Sequence, residues 1–194
     1  AGCGLEQVFI AREGVDVPGL SFHPTERVAI ETAFETIRRL DPDALLGWNV
    51  VDFDLRVLDV RCLALNIPFA IGRAGERARV LVGEAPQSVS IARVPGRVVL
   101  DGVATLRNAS WAFERYTLDH VAKQLLGRGK KRAEGVDALT EIRRMYRDDP
   151  TALAAYNLED ARLVADIFEK ADLLGFAFSR AELVGLPLAR QGGS

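Results

Sequence analysis

Asp43-Ala-Leu-Leu-Gly-Trp-Asn-Val-Val-Asp-Phe-Asp54 is the stretch that decides how this chain is read. Ala44 to Trp48 is a short apolar run, the pattern of a buried strand, and it passes directly into a helical pattern over residues 52–65. Placing successive residues about 100° apart around that helix groups Asp52, Arg56 and Asp59 on a polar arc. Asp54 falls roughly opposite, beside Val57, Leu58 and Leu65, with Arg61 on its side as an ion-pair partner. The expectation is an acid turned toward the protein at a strand–helix corner.

Upstream, Gln7 to Ala11 reads as a strand, and Pro24 stands where a first helical residue should. Ile30, Ala33, Phe34, Ile37 and Leu40 recur at helical spacing until Asp41-Pro42 ends the run. Downstream, Ala78–Val82 and Ser88–Ala92 flank a Gly-Glu-Ala-Pro-Gln turn and predict a β-hairpin. Gly96-Arg-Val-Val-Leu-Asp-Gly102 is a further strand. Thr117 caps a helix over Leu118, Val121, Leu125 and Leu126 that stops at Gly127. Asp149-Pro150 opens a last long helix running to about Ala171. Alternating strands and helices without repeats or low-complexity tracts give an α/β class.

The last helix carries a second acid. Glu159, Arg162, Asp166, Glu169 and Lys170 share its polar arc, whereas Asp160 stands in the stripe of Leu153, Tyr156, Leu163 and Ile167. Tyr156 lies one turn before Asp160 on the same face. An ionised carboxylate facing inward is costly unless a cation or donors compensate it, and a divalent metal is the compensation that also does chemistry. Mg²⁺ takes carboxylate oxygens and keeps several waters, and a pair of such ions clamps both oxygens of a phosphodiester displacement. The structural alternatives are a helix-start acid for Asp54 and a salt-bridged core acid for Asp160.

Composition sets limits. The 194 residues suit one domain, 48% hydrophobic, and the net charge of -2 leaves any nucleic-acid contact to a local patch. Two cysteines (Cys3, Cys62) and two histidines (His23, His120) do not make a zinc site or a disulfide framework. With no membrane-length apolar run and no signal peptide, a cytoplasmic setting is expected. The chain opens on Ala-Gly-Cys-Gly without Met and closes on Gln-Gly-Gly-Ser, and so is expected to be part of something longer.

At the two acids the motifs resemble a known family. Gly47-Trp-Asn-Val-Val-Asp-Phe-Asp54 is similar to the second exonuclease motif of family B DNA polymerases, and Tyr156-Asn-Leu-Glu-Asp160 to the third. The likeness is strongest to the bacterial polymerase II branch and covers nearly the whole chain. It extends through Asp41-Pro-Asp-Ala-Leu-Leu-Gly-Trp-Asn, Gly96–Gly102, Thr117-Leu-Asp-His-Val-Ala-Lys-Gln-Leu-Leu-Gly127 and the tail Gly185–Ser194. The resemblance implies an RNase H-like fold, a mixed sheet flanked by helices with an inserted hairpin. It implies a 3′→5′ proofreading exonuclease over residues 1–182, with 183–194 leading toward a polymerase domain of the same chain. Asp54 and Asp160 would hold two Mg²⁺ ions, with Mn²⁺ an alternative, and Tyr156 would orient the attacking water. Asn49 and Phe53 would lie beside the single-stranded 3′ end of a DNA primer, in a bacterial, nucleoid-associated enzyme.

One departure matters. The family's first motif, Asp-x-Glu on the first strand, is absent from this sequence. Ala29-Ile-Glu-Thr32 mimics it inside an amphipathic helix, where Glu31 and Glu35 read as the solvated face. The chain is therefore expected to lack the first strand, to be inactive alone, and to close its sheet irregularly or in a homo-oligomer. Two rival readings remain: a catalytically silent module that packs or guides DNA, and a freestanding RNase D-like nuclease. Arg128-Gly-Lys-Lys-Arg132 is read as a solvated basic loop, Trp48 as core, Cys62 as a packing residue, and Asp101 as a supporting group rather than a ligand.

Overall fold

The computed structural model describes residues 4–83, 90–129 and 138–188. Strands and helices alternate, so the class is α/β. β1 (Val8–Ala11) pairs in parallel with β2 (Leu20–His23), with Val8 opposite Leu20. α1 (Glu26–Leu40) follows, capped by the Thr25 side chain and closed by Asp41 in the left-handed region. Pro24 thus precedes the cap instead of opening the helix, and β2, too short to show a period, lies just before it. β3 (Ala44–Gly47) leads into a π-helical turn over Val51–Leu55 and then α2 (Arg56–Ala64).

β4 (Arg79–Leu81) and β5 (Ile91–Arg93) form the expected antiparallel hairpin, whose Glu84–Gln87 turn residues lie outside the described residues. β6 (Val98–Asp101) pairs in parallel with β3, bringing Gly47 opposite Asp101. Among the described residues the strands form three two-stranded sheets. Among the described residues five helices follow: α3 (Gly102–Asn108), α4 (Leu118–Leu126), α5 (Ala138–Asp148), α6 (Pro150–Lys170) and α7 (Leu173–Val184). Of these, α3, α5 and α7 were not read from the sequence.

Apolar packing gathers in three places. One cluster joins α1 to the π turn, α2 and the hairpin through Phe34, Leu55, Cys62 and Ile71. A second holds α4, α6 and α7 against the end of β6 through Leu100, Leu106, Val121, Leu163 and Ile167. The third packs α5 and the start of α6 on the β1–β2 pair, with Met145, Leu153 and half-buried Tyr156 against Ile10 and Leu20. α6 is the element common to the last two, so its face sits between the two parallel strand pairs. Buried Arg97 ties β6 to the end of α1. Its guanidinium donates to the Ile71 and Pro42 carbonyls and meets Asp41 at 2.8 Å.

The expected first-motif mimic is helical surface, as anticipated: Ala29 is buried while Glu31 and Glu35 are exposed, and Glu31 faces Arg27 one turn away. Arg128 departs from the solvated-loop reading. It donates to Glu159 at 2.7 Å and to Asp166, clamping the end of α4 to the polar side of α6. Lys130–Arg132 lie outside the described residues.

Candidate nuclease site

The corner between β3 and α2 is built by three residues. Val50 turns back over Gly47 so closely that a Cβ at Gly47 would stand 2.5 Å from the Val50 Cβ, so only glycine fits. Trp48 fills the space above Gly102, where a Cβ would meet its ring at 2.9 Å, and its indole N–H donates to the Tyr116 carbonyl at 3.0 Å. Trp48 is thus a packing residue, as expected. Asn49 makes the turn with φ 56°, a left-handed conformation that its short amide side chain tolerates.

From that corner the chain enters the π turn. The Leu55 N–H reaches back five residues to the Val50 carbonyl at 2.8 Å, while Phe53 N–H bonds four residues back to Asn49. Such turns concentrate at functional sites because they insert one residue into an otherwise regular helix. The buried stripe here runs through Val51, Leu55 and Cys62, about a quarter turn from Asp54. Asp54 therefore stands at the rim of the stripe, exposed, and Val57 is exposed beside it. This corrects the inward placement read from the helical wheel. The apolar residues Val57, Val60 and Leu63 are all exposed, so this segment is apolar on two sides and its pattern does not select a face. Arg61 is corrected too: it forms a two-pronged pair with Glu26 of α1, not with Asp54. Asp59, read as solvated, is half-buried and accepts the Val80 N–H at 3.1 Å, docking β4 on α2.

The Asp54 carboxyl is nonetheless held above the usual carboxylate range. Loss of solvation against the protein raises it most, a local backbone N–H opposes that, and the charge of Asp101 raises it further. Asp101, only 8% exposed, is also pushed up by burial, against four backbone N–H groups that favour its charged form: Ala104, Val51, Val50 and Val103. Two carboxyl groups, each disfavoured as anions and sharing one neighbourhood, suit a cation.

On α6, Tyr156 and Asp160 lie one turn apart and half-buried, beside Leu153 and Leu163, and each engages neighbours. Of the expected polar arc, Arg162, Glu169 and Lys170 are exposed, whereas Glu159 and Asp166 are half-buried beneath Arg128; Arg162 is bound to Glu6 ahead of β1. Asn49 and Phe53 are exposed, Phe53 at 63%, leaving an aromatic ring open at the mouth of the corner. Among the described residues, no three His, Cys, Asp or Glu side chains come together as a group able to hold a metal ion. Cys62 is buried and its thiol is pushed up to about 11, mainly by desolvation, which fits an inert packing residue.

Comparison with known proteins places these features in context. The model of the family described as DNA polymerase family B, exonuclease domain, matches residues 6–121. DNA polymerase II of Escherichia coli is 37% identical over 199 residues, an alignment covering 100% of this chain and 25% of that protein. A DNA polymerase of Thermococcus kodakarensis is 28% identical over 160 residues, covering 81% of this chain and 9% of its own. The DNA polymerase delta catalytic subunit of Caenorhabditis elegans is 28% identical over 147 residues, covering 71% and 13% respectively. The chain thus spans 25% of the Escherichia coli relative's length, and less of the other two.

Proposed function

The chain belongs to the exonuclease domain family of family B DNA polymerases, and from that membership we propose that it is the 3′→5′ proofreading region of a polymerase II-like, DNA-directed DNA polymerase. The reaction is hydrolysis of the terminal phosphodiester at the frayed 3′ end of a primer, releasing a nucleoside 5′-monophosphate. Asp54 and Asp160 are the metal-holding acids, Tyr156 orients the attacking water through its hydroxyl, and Asn49 and Phe53 receive the terminal nucleotides. The exposed Phe53 ring offers a stacking surface that any base satisfies, which suits an enzyme that must remove every kind of mispaired end. The metals are two Mg²⁺ ions, or Mn²⁺, and when bound they would stabilise the charge that builds on the phosphate and lower the pKa of the attacking water.

In this reading the fold is RNase H-like. β3 has one strand partner, β6, among the described residues, so its other edge is open to a further strand. The strand bearing the Asp-x-Glu motif would lie along that edge and supply the remaining acids beside Asp54. In this reading Asp54 and Asp160 are two of four acids, and since no three metal-ligating side chains gather among the described residues, the 194-residue chain alone is expected to bind divalent cations weakly and to turn over slowly. The intact enzyme would work on nucleoid DNA in the cytoplasm.

The observation carrying the proposal is the desolvated, Asp101-burdened carboxyl of Asp54 at a strand–helix corner within the segment that matches the exonuclease family. Its test is to change Asp160→Ala or Asp54→Ala in the polymerase that carries this region. Losing a metal ligand should remove several kcal/mol of transition-state stabilisation, lowering mispaired-primer degradation about a thousandfold while leaving polymerisation intact. Undiminished degradation in either variant would refute the assignment.

A further inference from the structure

The chain has two tryptophans, and the fold treats them differently. Trp48 packs against Gly102 at the corner, with its indole N–H held by the Tyr116 carbonyl. Trp111 lies on the loop after α3, 39% exposed, and its indole N–H finds no acceptor among the described residues. Its backbone is nonetheless fixed. Ser110 turns the chain at φ 62°, and the Trp111 N–H bonds to the carbonyl of fully buried Leu106 at 3.0 Å. The Tyr116 hydroxyl donates to the Trp111 carbonyl at 2.6 Å. The Trp111 ring stacks on Phe113 with 7° between their planes and 6.1 Å between centres. Phe113 meets Tyr116 edge-on at 5.7 Å, and the Arg107 guanidinium lies 4.5 Å from the Tyr116 ring centre. Phe113 and Tyr116 are half-buried and root this ladder on the second apolar cluster, beside Trp48. A tryptophan kept only for packing would be enclosed with its N–H paired, as Trp48 is.

The ladder also stands at the end of the sheet where the acids are. β3 and β6 are parallel and stop together at Gly47 and Asp101. The corner bearing Asn49, Phe53 and Asp54 follows one strand, and α3 with the Trp111 loop follows the other. Ligands of open parallel sheets bind beyond such carboxyl ends. The Trp48–Tyr116 bond ties the loop directly to the corner. We propose that Trp111 is a second stacking platform of the nuclease site, holding a base of the single-stranded primer behind the terminal nucleotides received by Asn49 and Phe53. This rests on the nuclease reading of the corner. An indole face accepts any base, so the platform grips the strand without reading its sequence. Arg107 at the end of α3 and Arg115 on the loop are exposed, two cations against the one acid, Glu114, between Gly102 and Thr117. That balance favours the phosphates of the same strand.

The test uses the polymerase that carries this region, with primer extension as the folding control. Thymidine oligomers bearing 5-iododeoxyuridine at successive positions are irradiated with the enzyme in EDTA, which prevents hydrolysis, and the crosslinked residue is mapped by mass spectrometry. Trp111 should crosslink to one nucleotide inside the strand rather than to the 3′-terminal one. With Mg²⁺, exonuclease KM is then compared for a thymidine trimer and a thymidine decamer. The advantage of the decamer should shrink by about 5–150-fold in Trp111→Ala, the worth of one base–aromatic stack, and mostly return in Trp111→Phe. Absence of any crosslink at Trp111 overturns the platform. So does a full decamer advantage in Trp111→Ala, including the case where kcat falls equally on both oligomers, which would mark Trp111 as packing only. Asp54→Ala should abolish hydrolysis yet keep the Trp111 crosslink. An Asp54→Ala enzyme that still degrades DNA refutes the role of the corner, while the crosslink still decides whether Trp111 holds the strand.

Discussion

The helix that carries Asp160 and the helical segment that carries Asp54 bury themselves by different rules. α6 is one unbroken helix, and its inward residues fall where a regular winding puts them, Leu153 and Ala154, then Leu163 and Val164, then Ile167 and Phe168. The segment after β3 begins with a π turn, is apolar on two sides, and buries Val51, Leu55 and Cys62 while leaving Val57 and Leu63 in solvent. A wheel drawn on α6 therefore sets Asp160, half-buried, beside its buried stripe, whereas the same wheel at the corner sends Asp54 inward when it is exposed. A periodic pattern locates a face only where one face is apolar and the winding is uniform.

That contrast can be broken by truncation. Leu163→Ala in α6 and Leu55→Ala in the π turn should each cost about 2–5 kcal/mol, read from denaturant midpoints, because both side chains are enclosed. Val57→Ala and Leu63→Ala should shift stability by no more than about 0.5 kcal/mol. A Val57 variant as damaging as the Leu55 one would restore the original wheel and discard the rim position of Asp54.

A smaller effect sharpens the same point on the polar side. Asp59→Ala should cost about 1–3 kcal/mol, since it strands the Val80 N–H that docks β4 on α2. Arg61→Ala, which loses only a half-exposed pair with Glu26, should cost about 0.2–1 kcal/mol, and less in high salt. Equal losses in the two variants would contradict the half-buried placement of Asp59.

The smallest expected change tests the electrostatics of the rim. Burial and Asp101 raise the Asp54 carboxyl in the folded chain, so its charged form is disfavoured by folding. That penalty is absent below the ordinary aspartate range, near pH 3.9, and grows as pH rises through the folded value. Asp54→Asn without metal should therefore melt higher than wild type at neutral pH, by at most about 2 °C, with the gap closing on acidification. A gap that is constant with pH, or of opposite sign, would show that Asp54 is not strained by its surroundings.

Much of the local structure around the two acids was legible from residue order alone, although β3, read as buried, is half-buried with Leu46 exposed. The apolar run Ala44–Gly47, the Gly-Trp-Asn corner and the Asp149-Pro150 helix start carry strong local signals, since tight turns, caps and long regular helices leave few alternatives. The short α3 and the four-residue β2 were missed because neither is long enough to display a period, and α5 follows residues that carry no clear start signal. The partner choices of Arg61, Asp59 and Arg128 have no signature in spacing, because each bridges elements distant along the chain.

The order of residues by itself settled the α/β class, the strand–helix corner, the acid and tyrosine one turn apart on α6, and the family that residues 6–121 match. Those features depend on local sterics and on regular winding, which act within a few residues. Tertiary structure alone decided that Asp54 sits on a rim, that Asp59 docks β4 on α2, and that a single arginine locks α4 to α6. Each of those depends on which chain segments meet across space, and burial and charge are set by that meeting.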